Sequence, residues 1–357
     1  MSADTGLLSP SLGRAGGIDW SRVGAVTLRW VAAILAALAI FSVLLVAKGA
    51  NPLAVFTDMW ASTFARPKSV AEIFIKMAPF VLAALAVVVP AKAGLTNVGG
   101  EGQVIVGGVA AAGTGLLLDP VLPGGAVFVI MIIAGMLAGA AWAGIAATLR
   151  LFVKVNEAVS TLLLNFVALD LLLFLIYQPW RESSTGQPST RELADTAKIP
   201  VITGTGVNIG IILALVATAA VFFVLNFTRW GFRLGVVGGN PEAARRAGMP
   251  VASLLLTALL VGGALAGLAG VISFAGTEYK LRPSFGDQIG YVGFLVSWLA
   301  AHKPIPVLIA AFVFAALAVG GDSLQLDSHL PAATVNILTA LILVAVLGWT
   351  RSKEKAL

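Results

Sequence analysis

Long apolar runs alternate with short polar segments along nearly the whole chain, at residues 26–47, 72–91, 98–118, 125–148, 157–177, 208–227, 251–276, 288–301, 304–320 and 332–349. A helix needs about 20 apolar residues to cross a bilayer. The pattern therefore predicts an all-α integral membrane protein of about ten transmembrane helices. Two runs are weak. The third opens on Gly99, Gly100, Glu101, Gly102 and Gln103, and the eighth is short and follows Gly286, Asp287 and Gln288. Irregular backbone at membrane depth is tolerated only inside protein or along a cavity, so both places are expected to be broken or re-entrant. The first run is longer than the apolar core of a signal peptide and more spans follow it, so it reads as a retained helix.

The polar segments set the organisation: a segment 1–22, one membrane domain over 23–350, and a tail 351–357. Two loops interrupt the domain, 178–207 and 228–250. Composition agrees, with 59% of the 357 residues apolar and 11% charged. Soluble domains carry about 25% charged residues, and no mixed-polarity block is long enough for a separate catalytic or nucleotide-binding domain. Cysteine is absent and His302 and His329 are the two histidines. Disulfides, thiolate sites and a multi-histidine metal centre fall away with them.

The net charge of +6 follows membrane topology rather than nucleic acid. With the N-terminus cytoplasmic and ten alternating spans, 14 of the 23 Lys and Arg residues fall inside and 9 outside. The positive-inside rule then predicts that both termini are cytoplasmic, the 178–207 loop external and the 228–250 loop internal.

Within the internal loop, Asn240 suits an N-cap, Pro241 a first helical turn, Gly248 a stop, and Pro250 prevents continuation. The expected helix, 241–247, is too short to stand alone in water. It lies either on its own membrane domain or in a partner's groove. Glu242, Ala243, Ala244, Arg245 and Arg246 supply its small and charged surface.

The string GFRLGVVGGNPEAARRAGM around this helix resembles the cytoplasmic loop of ABC importer permeases serving simple sugars, branched-chain amino acids and nucleosides. Three other stretches carry the same resemblance: GLTNVGGEGQVIVGGVAAAG, VNEAVSTLLLNFVALDLLLFLIYQPWRE and FGDQIGYVGFLVSWLAAHKPIP. The NxGxEGQ, VNExxSTxxLN and PWR elements look most like the nucleoside branch. Gly239 and the run from Trp298 to Lys303 depart from the usual pattern. The resemblance implies a multi-pass protein of the bacterial cytoplasmic (inner) membrane. It also implies ABC ATPase subunits docked on residues 240–248, a second permease in a hetero-dimeric pairing, and an external substrate-binding lipoprotein. ATP and magnesium would be used by the partner subunits. No GxxxxGK[ST] phosphate loop occurs in this chain, and it is expected to bind no cofactor, metal or nucleic acid itself.

Polar residues inside apolar runs are the candidate solute path or gate: Asn97, Glu101, Gln103, Asn165 and Asp170. An ionisable group within a span costs about 2.5–3.5 kcal/mol on insertion scales and tends to face a cavity or a partner. Glu101 reads equally as a helix cap, and Asp170 as a wetted helix end. Asn165 and Asp170, five apart, sit on different though nearby helix faces. Glu157, Ser160 and Thr161 suit capping and helix packing, and Gly262, Gly263, Gly267 and Gly270 suit close helix approach.

The leading function is the membrane subunit of an ATP-driven importer for nucleosides or a similar small polar solute. Simple sugars and branched-chain amino acids are the alternative solutes. A self-contained ion-coupled carrier using Asp170 and Glu101 is the rival transporter. An intramembrane enzyme finds no paired carboxylates or nucleophile–base set in this chain.

Overall fold

The computed structural model describes residues 35–36, 38–119, 121–182, 186–327, 337 and 340–341. Contacts divide the chain into one unit of Met1–Pro52 with Asn336–Leu357 and another of Leu53–Val335. In the first, the described residues include helix α1, Leu38–Ala47. The second opens within α2 (Pro52–Phe64) and continues through α3 (Pro67–Lys92), α4 (Gly100–Leu118), α5 (Gly124–Thr148), α6 (Glu157–Tyr177) and α7 (Gly210–Phe227). It is completed by α8 (Arg229–Gly239), α9 (Pro241–Arg246), α10 (Val251–Ser273), α11 (Ile289–Leu299) and α12 (Pro304–Asp327).

The protein is an all-α membrane protein. Seven helices are long and apolar enough to cross a bilayer, and an eighth span arises if α1 and α2 count as one broken crossing. Helix α11 has 11 residues. That is about 16 Å of rise, half of the ~30 Å apolar core of a bilayer. The short eighth run is thus a half-helix. The run 332–349 lies outside the described residues apart from 337 and 340–341, and segments 1–22 and 351–357 lie wholly outside them.

Helices α3 and α10 form the centre of the second unit. α10 packs on α3, α4 and α5, while α3 also meets α7, α11 and α12. Small residues set the spacing. A Cβ on Gly107 of α4 would overlap the backbone of Gly267 of α10, and one on Gly267 would overlap Gly135 of α5. In lipid, where apolar side chains gain nothing by leaving their surroundings, such backbone-to-backbone packing is what holds helices together. Outward faces are apolar, as with Val129, Ile133 and Leu137 at four-residue intervals on α5.

Two helices arise where the apolar pattern marks only loops. α2 falls between runs, and α8 occupies the first half of the internal loop. Helix α8 is amphipathic. Leu234 and Val237 are buried, while Arg229, Phe232 and Arg233 are exposed. Its four glycines and two arginines dilute the apolar signal, yet Thr228 caps it by accepting from Gly231 N at 3.2 Å. Trp230 Nε1 ties it to Thr257 of α10 at 3.2 Å.

Candidate functional site

The reversal between α3 and α4 is built from a proline and an amide. Pro90 has no N–H to offer the carbonyl of Ala86 one turn earlier. Asn97 takes that role, its Nδ2 donating to Ala86 O at 3.1 Å and to Gln103 Oε1 at 3.0 Å. Its Oδ1 accepts from Gly99 N at 3.1 Å and from Gln103 Nε2 at 3.0 Å. Both amides are buried, and each satisfies the other.

Helix α6 supplies the rest of the polar partners. Glu157, Thr161 and Asn165 recur every fourth residue and so share one face. Thr96 N donates to Glu157 Oε1 at 3.1 Å, Val98 N to Thr161 Oγ1 at 3.2 Å, and Gly102 N to Asn165 Oδ1 at 2.8 Å. Asn165 Nδ2 returns a bond to Val98 O at 3.0 Å. Glu157 is also ion-paired with Arg150. Asn165 lies eight residues, about 12 Å, along α6 from Glu157, so the irregular loop follows the helix to that depth. Unpaired backbone groups there would cost several kcal/mol each, and side chains of the protein remove that cost.

Glu101 faces the other way, toward α11. Its Oε1 accepts from Gln288 N at 2.7 Å, and its Oε2 from Gly290 N at 2.7 Å and Tyr291 N at 3.3 Å. This is an N-cap delivered from a different helix, with the negative carboxylate at the positive end of the helix dipole. A Cβ on Gly290 would overlap the backbone of Glu101, so glycine is what lets the two approach. Asp287, Gln288 and Tyr291 are exposed at the start of this half-helix.

Four of the five candidate path residues thus come together: Asn97, Gln103 and Asn165 hold the loop, and Glu101 joins it to α11. Asp170 stands apart. It is exposed on the outer face of α6 beside Phe166, Val167 and Phe174, with no hydrogen-bond or ion-pair partner among the described residues. The loop-holding roles of Glu157 and Thr161 were missed in favour of local capping and packing, although their spacing with Asn165 was legible. Asp287, Gln288 and Tyr291 were missed as site residues, their signal being the polar break before a short apolar run.

The short internal helix is capped as expected, with Asn240 Oδ1 accepting from Ala243 N at 2.9 Å. Gly248 closes it at φ +77°. It ends at Arg246, one residue before the expected Ala247. Ala244 is fully buried against the protein itself, so the surface open to a partner is Glu242, Ala243, Arg245, Arg246 and Ala247. Glu242 pairs with Arg245 at 2.8 Å and with Arg246 at 3.3 Å.

On the far side, the 186–207 segment is laced to the stretch that follows α10 by Leu193 N to Tyr279 O at 2.8 Å and Thr190 N to Leu281 O at 3.1 Å. Lys198 bridges Glu192 at 2.8 Å and Asp195 at 2.7 Å and lies 4.5 Å from the centre of the Tyr279 ring. Those two carboxylates raise the Lys198 pKa, and Lys198 lowers theirs. Among the described residues no cluster of His, Asp and Glu is placed to hold a metal ion.

A family model described as the permease component of branched-chain amino acid transport systems matches residues 69–347. A glucose ABC transporter permease of Haloferax volcanii is 36% identical over 325 residues, covering 88% of this chain and 85% of its own. A guanosine ABC transporter permease of Bacillus subtilis is 29% identical, with coverage of 88% and 91%. A nucleoside ABC transporter permease of Lactococcus lactis is 29% identical, with 85% of each covered.

Proposed function

The chain belongs to the family of branched-chain amino acid transport system permease components, and we propose that within it the chain carries nucleosides inward as one membrane subunit of an ABC importer. It is a multi-pass protein of the inner membrane, and its family members are transport permease subunits. The observation that carries the structural side of this reading is the meeting of the reversal between two full-length helices, α3 and α4, with the half-helix α11. Glu101, in the first turn of α4 just after loop 93–99, joins the start of the half-helix α11, and half-helix ends are where transporter sites are built.

In this reading the polar rim of Asp287, Gln288 and Tyr291 borders the solute path, with Glu101 behind it as the group that positions α11. Asp170 supports a partner for α6. A carboxylate on an apolar helix face costs about 2.5–3.5 kcal/mol in lipid, which a second permease or a wet path relieves. Helix α9 docks on an ATPase subunit, which supplies ATP, magnesium and the energy. A binding protein outside delivers the solute near the 186–207 segment, and both termini are cytoplasmic.

Nucleosides lead because two relatives bear that name and the NxGxEGQ and VNExxSTxxLN motifs suit that branch. A hexose is the second reading, favoured by the 36% identity of the glucose permease. Both solutes are neutral rings rich in hydroxyls. The test is uptake of labelled guanosine and labelled glucose into vesicles, by the chain alone and by the chain with its genomically adjacent partners. ATP-dependent guanosine uptake by the assembled system only is expected. Ion-driven uptake by the chain alone overturns the reading, and glucose uptake without guanosine uptake moves it to the second solute.

A further inference from the structure

At the end of the molecule where α3 and α7 finish and α12 begins, a cleft of about 320 Å³ opens between them. Its walls combine Lys92 and Lys303 with Phe222, Leu225 and Ile305. Among the described residues no carboxylate lines it. Neither lysine has an ion-pair partner among the described residues. The two positive charges therefore face a partly apolar cleft in which no described residue neutralises them.

The cleft has a fixed wall. Ala301 and His302 both take left-handed backbone angles, φ 49° and 54°, in the turn between α11 and α12. That turn is pinned by His302 N to Ser297 O at 2.8 Å and by a 2.9 Å bond between Ser297 Oγ and His302 Nδ1. The Trp298 ring packs edge-on against the imidazole at 5.1 Å. Burial lowers the His302 pKa, so the positive charge of the cleft is that of its lysines. Opposite this wall, the end of the Lys92 side chain lies over Gly235 of α8, where a Cβ would come 3.3 Å from Lys92 Cε.

The apolar wall continues out of the cleft. Ile305 is exposed, and Ile309, one turn further along α12, is exposed as well, as is Phe227 at the end of α7. A ligand that fits has a compact anion for the two ammonium groups and a hydrocarbon chain for the ridge of Ile305 and Ile309. We propose that this cleft binds an anionic phospholipid, its phosphate between Lys92 and Lys303 and an acyl chain along α12. Basic pockets between helix ends on the cytoplasmic side are suited to such headgroups, and the orientation proposed above puts this one in the inner leaflet. The site lies beside α8, so an occupied cleft braces the corner that carries α9.

The test uses the assembled transporter, stripped of lipid in a neutral detergent and titrated with phosphatidylglycerol or phosphatidylcholine. Bound lipid is counted by native mass spectrometry. Micelles have no sidedness, so the result does not depend on the proposed orientation or on transport. Phosphatidylglycerol is expected to bind selectively, and Lys92→Gln with Lys303→Gln to weaken it by about 25-fold, roughly fivefold per lysine. Lys92→Arg with Lys303→Arg keeps the charge and should keep the binding, as should Lys68→Gln, an exposed residue at the opposite end of α3 from Lys92. Asn226→Asp, which sets a carboxylate in the same cleft, should weaken binding without removing either lysine and stands in if the double variant fails to assemble. Unchanged phosphatidylglycerol binding in the lysine variant, or in Asn226→Asp, overturns the proposal. Equal binding of phosphatidylcholine overturns it too, and full displacement by millimolar inorganic phosphate assigns the cleft to a soluble anion instead.

Discussion

Replacing Glu101 by glutamine keeps the length and volume of the side chain and removes its charge and one acceptor oxygen. The native carboxylate serves three backbone donors, Gln288 N and Gly290 N at 2.7 Å and Tyr291 N at 3.3 Å. A glutamine oxygen can serve one side of that set, and its NH2 then faces donors it cannot bond. Bonds to a charged group contribute about 1.5–3 kcal/mol and neutral ones about 0.5–1.5 kcal/mol. Weakening one bond and losing another therefore costs about 3 kcal/mol at the first turn of α11. A tenfold change in an equilibrium corresponds to ~1.4 kcal/mol, so the start of α11 should open about 100-fold more often. Hydrogen–deuterium exchange on the purified complex reads this directly. Amides of residues 288–291 should lose about that much protection in Glu101→Gln, amides of α5 should not change, and ATP-driven uptake should fall. Unchanged protection at 288–291 would falsify the capping argument. Raised exchange with native uptake would leave the cap in place and remove it from the transport cycle.

Asn97→Leu should lower the melting temperature sharply in the native background but less in Pro90→Ala, because the alanine introduced there offers its own N–H to Ala86 O. A coupling near 1 kcal/mol is expected from a double-mutant cycle, and strictly additive effects refute the link between the proline and the amide. Ala243→Trp, on the exposed side of α9, should leave the permease folded and abolish ATPase co-purification. Ala244→Trp should destabilise the permease itself by about 1–3 kcal/mol. If Ala243→Trp co-purifies and couples normally, α9 is not the docking point. With no native cysteine to interfere, Thr203→Cys should react with an impermeant thiol reagent in intact cells and Arg246→Cys only after permeabilisation. The opposite pattern reverses the orientation.

The span pattern was legible because membrane helices announce themselves by composition. The runs 157–177, 208–227 and 304–320 agree closely with α6, α7 and the apolar part of α12. The polar residues of the site were legible for the same reason, since Asn97, Glu101, Gln103 and Asn165 stand out in apolar surroundings. Their partners were not. Nothing local says that Asn97 answers a carbonyl freed by Pro90, or that Glu101 caps a helix 187 positions away. The direction of Ala244 was hidden because a helix of six residues is too short to display a periodic buried face. Helix α8 was hidden by its glycines, which read as a loop and act as a packing surface.

Those glycines bear on how a push at α9 could reach the broken span. Asn240 belongs to both internal helices: its N–H closes α8 on Val236 O at 3.0 Å, and its side chain opens α9 on Ala243 N at 2.9 Å. The two helices meet as a corner with one shared residue. Behind it, Gly238 abuts Gly94 with no side chain between them, a Cβ on Gly94 falling 3.3 Å from Gly238 Cα. Gly94 lies three residues before Asn97 and seven before Glu101. A contiguous packed route therefore exists from α9 to the start of α11, which is the physical requirement for coupling, although a route alone is not coupling. The polar joints along it differ in kind. Loop 93–99 and the adjoining first turn of α4 are fastened to α6 through Glu157, Thr161 and Asn165 and to α3 through Asn97. The first turn of α11 is fastened to α4 by the carboxylate of Glu101. A displacement arriving at Gly94 therefore meets loop 93–99 and the first turn of α4 as one fastened body, and its polar connection onward to the half-helix bearing Gln288 and Tyr291 is the carboxylate of Glu101.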